Sequence, residues 1–347
     1  MRTVLFCEHA YAFGILEPIA DVLKAKQYDY VWFTTKALAP KFPFKDEPHI
    51  SSMAELRKFK SDCLFIPGNY SPFYIRGYKA QVFHGLAGEK ASHFKVRGYF
   101  DVYLTQGPYF TERFNQIKAK HQNFEVIETG WCKLDVYEKN KESYLAEKAE
   151  LLQKHQAKKL LVFAPTHNVS MNCAPFLVAE FEQLASNKDY LIVVKFHDLT
   201  KPEVMTAYHE LAAKHDNIVM SKDPNISKLI YIGDLLISDT SSVVYEFILL
   251  DKPVLTFKSK AENILWDDAK EYSGLTEKVE ANLTLDAYKD QREKVIAAYH
   301  PYHDGKSSLR MIEAIEKMIT EKGVPKYRKM GLDRMIESLK IFNIKNR

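Results

Sequence analysis

Five small polar residues, Ser238-Asp239-Thr240-Ser241-Ser242, join an apolar strand to the start of a helix in DLLISDTSSVVYEFILLDKPVLTF, residues 234 to 257. Hydroxyls and unpaired backbone N–H groups at a helix N-terminus favour an anion, because free donors and the helix dipole act on it together. An ordinary N-cap uses the same residue types but needs only one side-chain oxygen. Three hydroxyls in a row, on Thr240, Ser241 and Ser242, exceed that need and point to phosphate binding. Glu246 follows one turn after Ser242, where it either accepts from a ribose hydroxyl or stands exposed without a role. A second stretch, HDGKSSLR at 303 to 310, sets Gly305 among Lys306, Ser307, Ser308 and Arg310. Glycine there suits either a plain turn or close approach of the backbone to a ligand.

These groups need a scaffold that delivers strand ends to one side. Short β-rich runs alternate with segments of helical period, the pattern of βαβ units and parallel sheets. Strands are expected at 3–8, 30–35, 63–68, 81–85, 101–106 and 124–130, then at 159–166, 190–197, 217–223, 234–239 and 253–257. The charged segment 139–159 reads as a helix and linker between two doubly wound α/β domains, 1–145 and 155–325, with a basic helix over 326–347. Ligands of such folds sit outside the carboxyl ends of the strands. Here those ends carry Glu8 and His9, Gly68 and Asn69, His84 and Gly85, Thr105 and Gln106, Thr166 and His167, and His197 and Asp198, besides the serine-rich turn. Together they predict a substrate groove between the domains.

Composition narrows the class. The chain has 347 residues, 46% hydrophobic and 27% charged, which excludes disorder and collagen-like or coiled-coil architectures for the whole. Its 49 basic and 45 acidic side chains leave +4, too small a surplus for a general nucleic-acid binder. That surplus is local, since 326–347 holds seven basic and two acidic residues with apolar ones at near-helical spacing. The segment reads either as a closing helix packed on the first domain or as an amphipathic helix on an anionic membrane. Cys7, Cys63, Cys132 and Cys173 lie far apart with no CxxC pair, as in a cytosolic protein with reduced thiols. Glu8 and His9 interrupt the only apolar run near the N-terminus, so neither a secretory signal nor a membrane span is expected there. His300, His303 and Asp304 are metal-ligand types, but Pro301 and Gly305 make the stretch a turn, and no metal is expected.

The chain resembles the CDP-glycerol glycerophosphotransferases of teichoic-acid and capsule synthesis, a GT-B type superfamily. The resemblance rests on SDTSSVVYEFILLDKP (238–253), HDGKSSLR (303–310), FAPTHN (163–168), VVKFHD (193–198), QVFHGLAGEK (81–90) and ETGWCKLD (128–135), in the family's order. Three places depart from it. Leu86-Ala87-Gly88 stands where similar enzymes carry Thr-Pro-Leu, Asp198-Leu199-Thr200-Lys201 where they carry Pro and a nearby Arg, and His167-Asn168 where Trp and Arg follow Ala-Pro-Thr. These positions are where the transferred group and acceptor should bind.

The resemblance implies a GT-B fold, two Rossmann-like domains with an active-site cleft between them and a C-terminal helix crossing back. It implies an enzyme that transfers glycerol phosphate or a related alditol phosphate from a CDP-activated donor to a hydroxyl of a cell-surface glycan or its polyprenol-linked precursor, releasing CMP. Such a transfer needs a base for the attacking hydroxyl and donors for the leaving phosphate. His84 is the candidate base in the first domain. His197, Lys195, Ser238 to Ser242, Glu246, Gly305, Lys306, Ser307, Ser308 and Arg310 are candidates for holding the donor from the second. No cofactor beyond the CDP-linked donor is expected. The implied location is cytoplasmic, with a peripheral position on the inner membrane face if the basic helix binds lipid. The alternative is a GT-B glycosyltransferase using a nucleotide-activated sugar in capsule or lipopolysaccharide synthesis.

Overall fold

A computed structural model describes residues 1–86, 91–120, 123–223, 226–262 and 264–344. Ala87 to Lys90 of the QVFHGLAGEK stretch, and Lys345 and Arg347 of the basic segment, lie outside the described residues. The chain divides into two compact units, 1–139 with 298–347, and 140–297.

The first unit is built on seven parallel strands: β1 (Arg2–Cys7), β2 (Asp29–Thr34), β3 (His49–Ile50), β4 (Cys63–Ile66), β5 (Tyr78–Gln81), β6 (Val102–Thr105) and β7 (Glu125–Glu128). Their order is β3-β2-β1-β4-β5-β6-β7, which reverses between β1 and β4. Central strands such as β1 and β4 are buried on both faces and so are almost continuously apolar. Phe6 of β1 stacks on Phe33 of β2 at 4.7 Å between centroids.

The second unit repeats the plan with six parallel strands: β8 (Lys159–Phe163), β9 (Tyr190–Val194), β10 (Ile218–Met220), β11 (Leu235–Ser238), β12 (Val254–Phe257) and β13 (Asp267–Ala269). The order β10-β9-β8-β11-β12-β13 reverses between β8 and β11. Phe163, Phe181 and Tyr208 form the aromatic centre of its core.

Every expected strand run overlaps an observed strand, although the one expected at 81–85 meets β5 only at Gln81. The strand stops early because Phe83 takes a left-handed backbone, φ +59°. The edge strands β3 and β13, two and three residues long, carry too short a pattern to be read in advance.

The domain boundaries differ from expectation. Helix Lys141–Lys154 belongs to the second unit, where Lys148 pairs with Asp234 at 2.8 Å. At the other end the chain returns to the first unit at 298, not after 325. The Ser307 and Ser308 amides donate to the two carboxylate oxygens of Asp135 at 3.0 and 2.7 Å, and the Tyr78 hydroxyl donates to the Gly323 carbonyl at 2.9 Å. The basic segment packs on the same unit. Arg328 pairs with Asp101 at 2.9 Å, Ser338 donates to the Ser71 carbonyl at 2.9 Å, and Phe342 sets its edge on Phe6.

Candidate functional site

In the first unit the reversal of strand order puts the turns after β1 and β4 side by side, the usual ligand position of a doubly wound sheet. His84 stands close by, just past the end of β5, and its side chain is exposed. The backbone that presents it is held firmly. Phe83 points inward, its ring stacked on His93 at 5.1 Å and against Phe114 at 5.3 Å. Its carbonyl accepts from the Trp131 indole at 3.4 Å, and the Gly85 carbonyl accepts from Gln106 at 3.1 Å. A left-handed Phe83 between these clamps turns the next side chain out of the sheet.

One hydrogen bond then settles the chemistry of His84. Its Nδ1 lies 2.9 Å from the Pro67 carbonyl, which can only accept, so Nδ1 carries the proton. The neutral ring therefore has its lone pair on Nε2, the form a general base requires. Tyr11 lies beside it with ring centroids 5.4 Å apart, and burial together with the charge of Glu8 pushes its hydroxyl up to about 12. Tyr11 thus stays protonated and serves as a neutral neighbour.

In the second unit the turns after β8 and β11 flank the reversal, with His197 three residues past the end of β9. A cavity of about 200 Å³ is lined by Ala164, Pro165, Lys195, His197, Ser241 and Val243 among others. His197 is the electronic opposite of His84. Its Nδ1 accepts the Leu199 amide at 3.1 Å, so the proton of the neutral ring sits on Nε2. Partial desolvation, then the neighbouring His167 and Lys195, hold it below the usual imidazole range against the opposing pull of Asp198. His197 is set up to donate from Nε2, which suits phosphate oxygens.

The serine-rich turn divides its labour. Ser238 is buried and donates to the Ala164 carbonyl at 2.6 Å. Asp239, fully buried, accepts from the Thr166 and Cys173 amides at 2.9 and 3.0 Å. Burial raises its carboxyl pKa, and these bonds oppose the rise. Thr240 accepts the Lys260 amide at 2.9 Å. Ser241 lines the cavity, and Ser242 opens helix Val243–Ile248 without a side-chain cap bond. Glu246 is buried rather than exposed. Lys195 lines the cavity while donating to the Phe196 carbonyl at 2.9 Å.

The HDGKSSLR element, expected in the second domain, belongs to the first unit. Ser307 and Ser308 are buried, and their amides go to Asp135, which acts as the anion at the N-terminus of helix Ser307–Lys322. Arg310 donates to the Thr129 carbonyl at 2.7 Å, pairs with Asp304 at 2.8 Å and lies over the Tyr302 ring. Gly305, at φ +64°, is needed because a Cβ would come within 2.8 Å of the Glu138 side chain. That close approach is to another part of the same unit. Lys306, like His303 and Asp304, keeps an exposed side chain. Among the described residues no group of three or more His, Cys, Asp or Glu is placed to hold a metal ion. The four cysteines are buried free thiols.

Sequence reasoning missed the Pro67 carbonyl and the Leu199 amide, because backbone groups carry no residue signature. It also missed the contact of His167 with His197, ring centroids 4.3 Å apart, although both strand ends were visible.

A sequence profile described as CDP-glycerol:poly(glycerophosphate) glycerophosphotransferase matches residues 77–264. The teichoic acid ribitol-phosphate polymerase TarL of Staphylococcus aureus is 28% identical over 242 residues, covering 62% of this chain and 41% of the relative. A teichoic acid poly(glycerol phosphate) polymerase of Bacillus spizizenii is 27% identical over 177 residues, covering 48% of this chain and 43% of the relative. The chain thus spans less than half the length of these curated relatives. The solved structure of the wall teichoic acid polymerase TagF has a TM-score of 0.67 at 17% identity, covering 93% of this chain and 89% of that one. UDP-GlcNAc 2-epimerase from Neisseria meningitidis, bound to UDP-GlcNAc, has a TM-score of 0.64 at 15% identity, covering 91% and 100%. At such identities the structural likeness establishes the fold, which is of GT-B type.

Proposed function

The chain belongs to the CDP-glycerol:poly(glycerophosphate) glycerophosphotransferase family, and from that premise we propose that it transfers glycerol phosphate or a related alditol phosphate from a CDP-activated donor to a hydroxyl of a cell-surface glycan or its lipid-linked precursor. The first unit supplies the base: His84 Nε2 takes the proton of the acceptor hydroxyl, whose oxygen attacks the distal phosphorus of the donor. The bond from that phosphorus to the bridging oxygen breaks, and CMP departs with the electron pair. The second unit supplies the donor-phosphate site, where His197 Nε2–H, Lys195, Ser241 and Ser242 offset the charge of the leaving phosphate. Lys195 and the hydroxyls make no demand for a cofactor.

The observation that carries this reading is the bond from His84 Nδ1 to the Pro67 carbonyl, which leaves a basic Nε2 on an exposed ring. The test is incubation with CDP-glycerol, CDP-ribitol and candidate glycans, followed by mass spectrometry for CMP and the elongated acceptor. CMP release with either donor is expected, and consumption of UDP- or GDP-sugars instead would establish the glycosyltransferase alternative.

Work on a lipid-linked acceptor would take place on the cytoplasmic side, at the inner membrane face. Among the described residues no helix is long and apolar enough to cross a membrane. Helix Leu332–Ile344 leaves Leu332 and Ile336 exposed at 78% and 52%, with Lys329 and Lys340 nearby in sequence and also exposed, a composition that suits an anionic lipid surface. Flotation with anionic vesicles tests this: the Leu332→Asp, Ile336→Asp double variant should stay behind while the parent floats, and equal flotation would refute it.

A further inference from the structure

The cavity of the second unit holds a carboxylate. Among the described residues that line it, Lys195 is the only ammonium or guanidinium group and Asp198 the only acid. A pocket shaped for phosphate alone has no use for Asp198, because two negative charges a few ångströms apart repel. Elsewhere the fold occupies the carboxylates that it keeps. Asp239 is buried with its oxygens on the Thr166 and Cys173 amides, and Asp135 holds the Ser307 and Ser308 amides. Asp198 is exposed, and its oxygens accept no hydrogen bond and enter no ion pair with any described residue. The turn that carries it closes without it. The Thr200 amide donates to the His197 carbonyl at 2.9 Å, and the Leu199 amide donates to His197 Nδ1 at 3.1 Å. An aspartate serving the turn itself would take the amide two residues on, but that is the Thr200 amide, already bonded. The backbone around Asp198 is thus fixed while its lone pairs stay unused.

We propose that Asp198 is a specificity-determining residue of this cavity: its carboxylate accepts hydrogen bonds from free hydroxyls carried next to the phosphate, so that the cavity selects phosphate esters of polyhydroxyl compounds over pyrophosphate and esters of simple alcohols. The inference rests on the reading of the cavity as the donor-phosphate site. Lys195, His197 Nε2–H and Ser241 meet the phosphate oxygens, and Asp198 meets the alcohol attached to them. A hydroxyl donating to a carboxylate makes a short, charge-assisted bond, which offsets the repulsion between Asp198 and the phosphate. A ligand without that hydroxyl meets the repulsion and has no compensating bond, so Asp198 discriminates by rejection as well as by attraction. A CDP-linked alditol carries such hydroxyls on both sides of its phosphates, on the ribose and on the alditol. Asp198 also opens the stretch, Asp198 to Lys201, in which this chain departs from similar enzymes.

The test is calorimetric titration of the full chain with two matched pairs, CMP against dideoxycytidine monophosphate for the ribose and glycerol phosphate against propyl phosphate for the alditol, with UMP and inorganic pyrophosphate beside them. The parent should bind the hydroxylated member of at least one pair about tenfold more tightly, and the pair that shows the preference identifies the source of the hydroxyls. Asp198→Ala should abolish that preference and bind pyrophosphate about threefold more tightly at unchanged Tm, because a negative charge has gone and no bond of the fold with it. A plain charge effect would tighten every ligand, and a distorted cavity would weaken every one. A parent that discriminates within neither pair overturns the proposal and leaves the donor-phosphate reading in place, as does an Asp198→Ala protein that keeps the preference or weakens pyrophosphate too. Equal affinity for CMP and UMP, with a hydroxyl preference that depends on Asp198, keeps this inference and sinks the CDP reading. A parent that binds none of these ligands sinks both.

Discussion

The turn after β5 and the turn after β9 present the same side chain in the same kind of place, an exposed histidine just beyond a buried parallel strand. They differ in one backbone group. At His84, Nδ1 faces the Pro67 carbonyl; at His197, it faces the Leu199 amide. An acceptor there makes Nε2 a base, and a donor there makes Nε2 a hydrogen-bond donor. The surroundings differ accordingly. His84 follows a left-handed Phe83 wedged among aromatic rings. His197 sits in a tight turn closed by the Thr200 amide on its own carbonyl at 2.9 Å, beside a cavity.

Glutamine separates the two roles, because its amide donates like an imidazole N–H but cannot take a proton. His84→Gln should lower turnover by about 100- to 10,000-fold and leave CMP affinity unchanged in calorimetry. His197→Gln should retain most of the CMP affinity, whereas His197→Ala loses about tenfold. A His84→Gln enzyme with near-normal turnover would break the comparison at its base.

Acid should act on the two turns unequally. Behind His84, burial pushes His93 down to about 3, and burial pushes His300 of the same unit down to about 3 as well. In the unfolded chain such rings bind protons near pH 6.5, so the folded first unit loses stability as pH falls below that value and goes on losing it toward 3. Each contributes up to about 1.4 kcal/mol per pH unit, or roughly 3 kcal/mol together between pH 6.5 and 5. Carboxyls raised by burial, Glu17 and Asp135 in the first unit and Asp239 in the second, act in the opposite sense and offset part of this loss. Hydrogen exchange at pH 5 should show the first unit opening before the second. Simultaneous opening would mean that burial does not hold the two rings neutral.

Next in size is the anchor of the returning chain. Asp135→Ala strips two buried amides of their acceptor and should cost about 3 kcal/mol, seen as a lowered Tm, without altering CMP affinity at the second unit. Loss of CMP binding in a folded Asp135→Ala protein would return the HDGKSSLR element to the donor site. That element shows where sequence reading fails. Its Gly, Lys, Ser and Arg are the types a phosphate site uses, but their partner, Asp135, lies 172 residues away from Ser307 and is already an anion. The parallel sheets and the strand-end histidines were legible because burial on both faces writes long apolar runs. The domain boundary at 298 was not, because it depends on such distant pairings, and the end of β5 was not, because a left-handed phenylalanine follows from packing around it.

The smallest effects test the second turn from within. Ser238 and Ser241 are three residues apart and alike in chemistry, but one is buried against the Ala164 carbonyl and the other lines the cavity. Ser238→Ala should cost about 1 kcal/mol of stability and leave CMP affinity intact, since only a fold-internal bond is lost. Ser241→Ala should do the reverse, raising the Kd for CMP by about three- to tenfold at unchanged Tm. If both substitutions weakened CMP binding equally at unchanged stability, the division of the turn into a structural half and a ligand-facing half would be wrong.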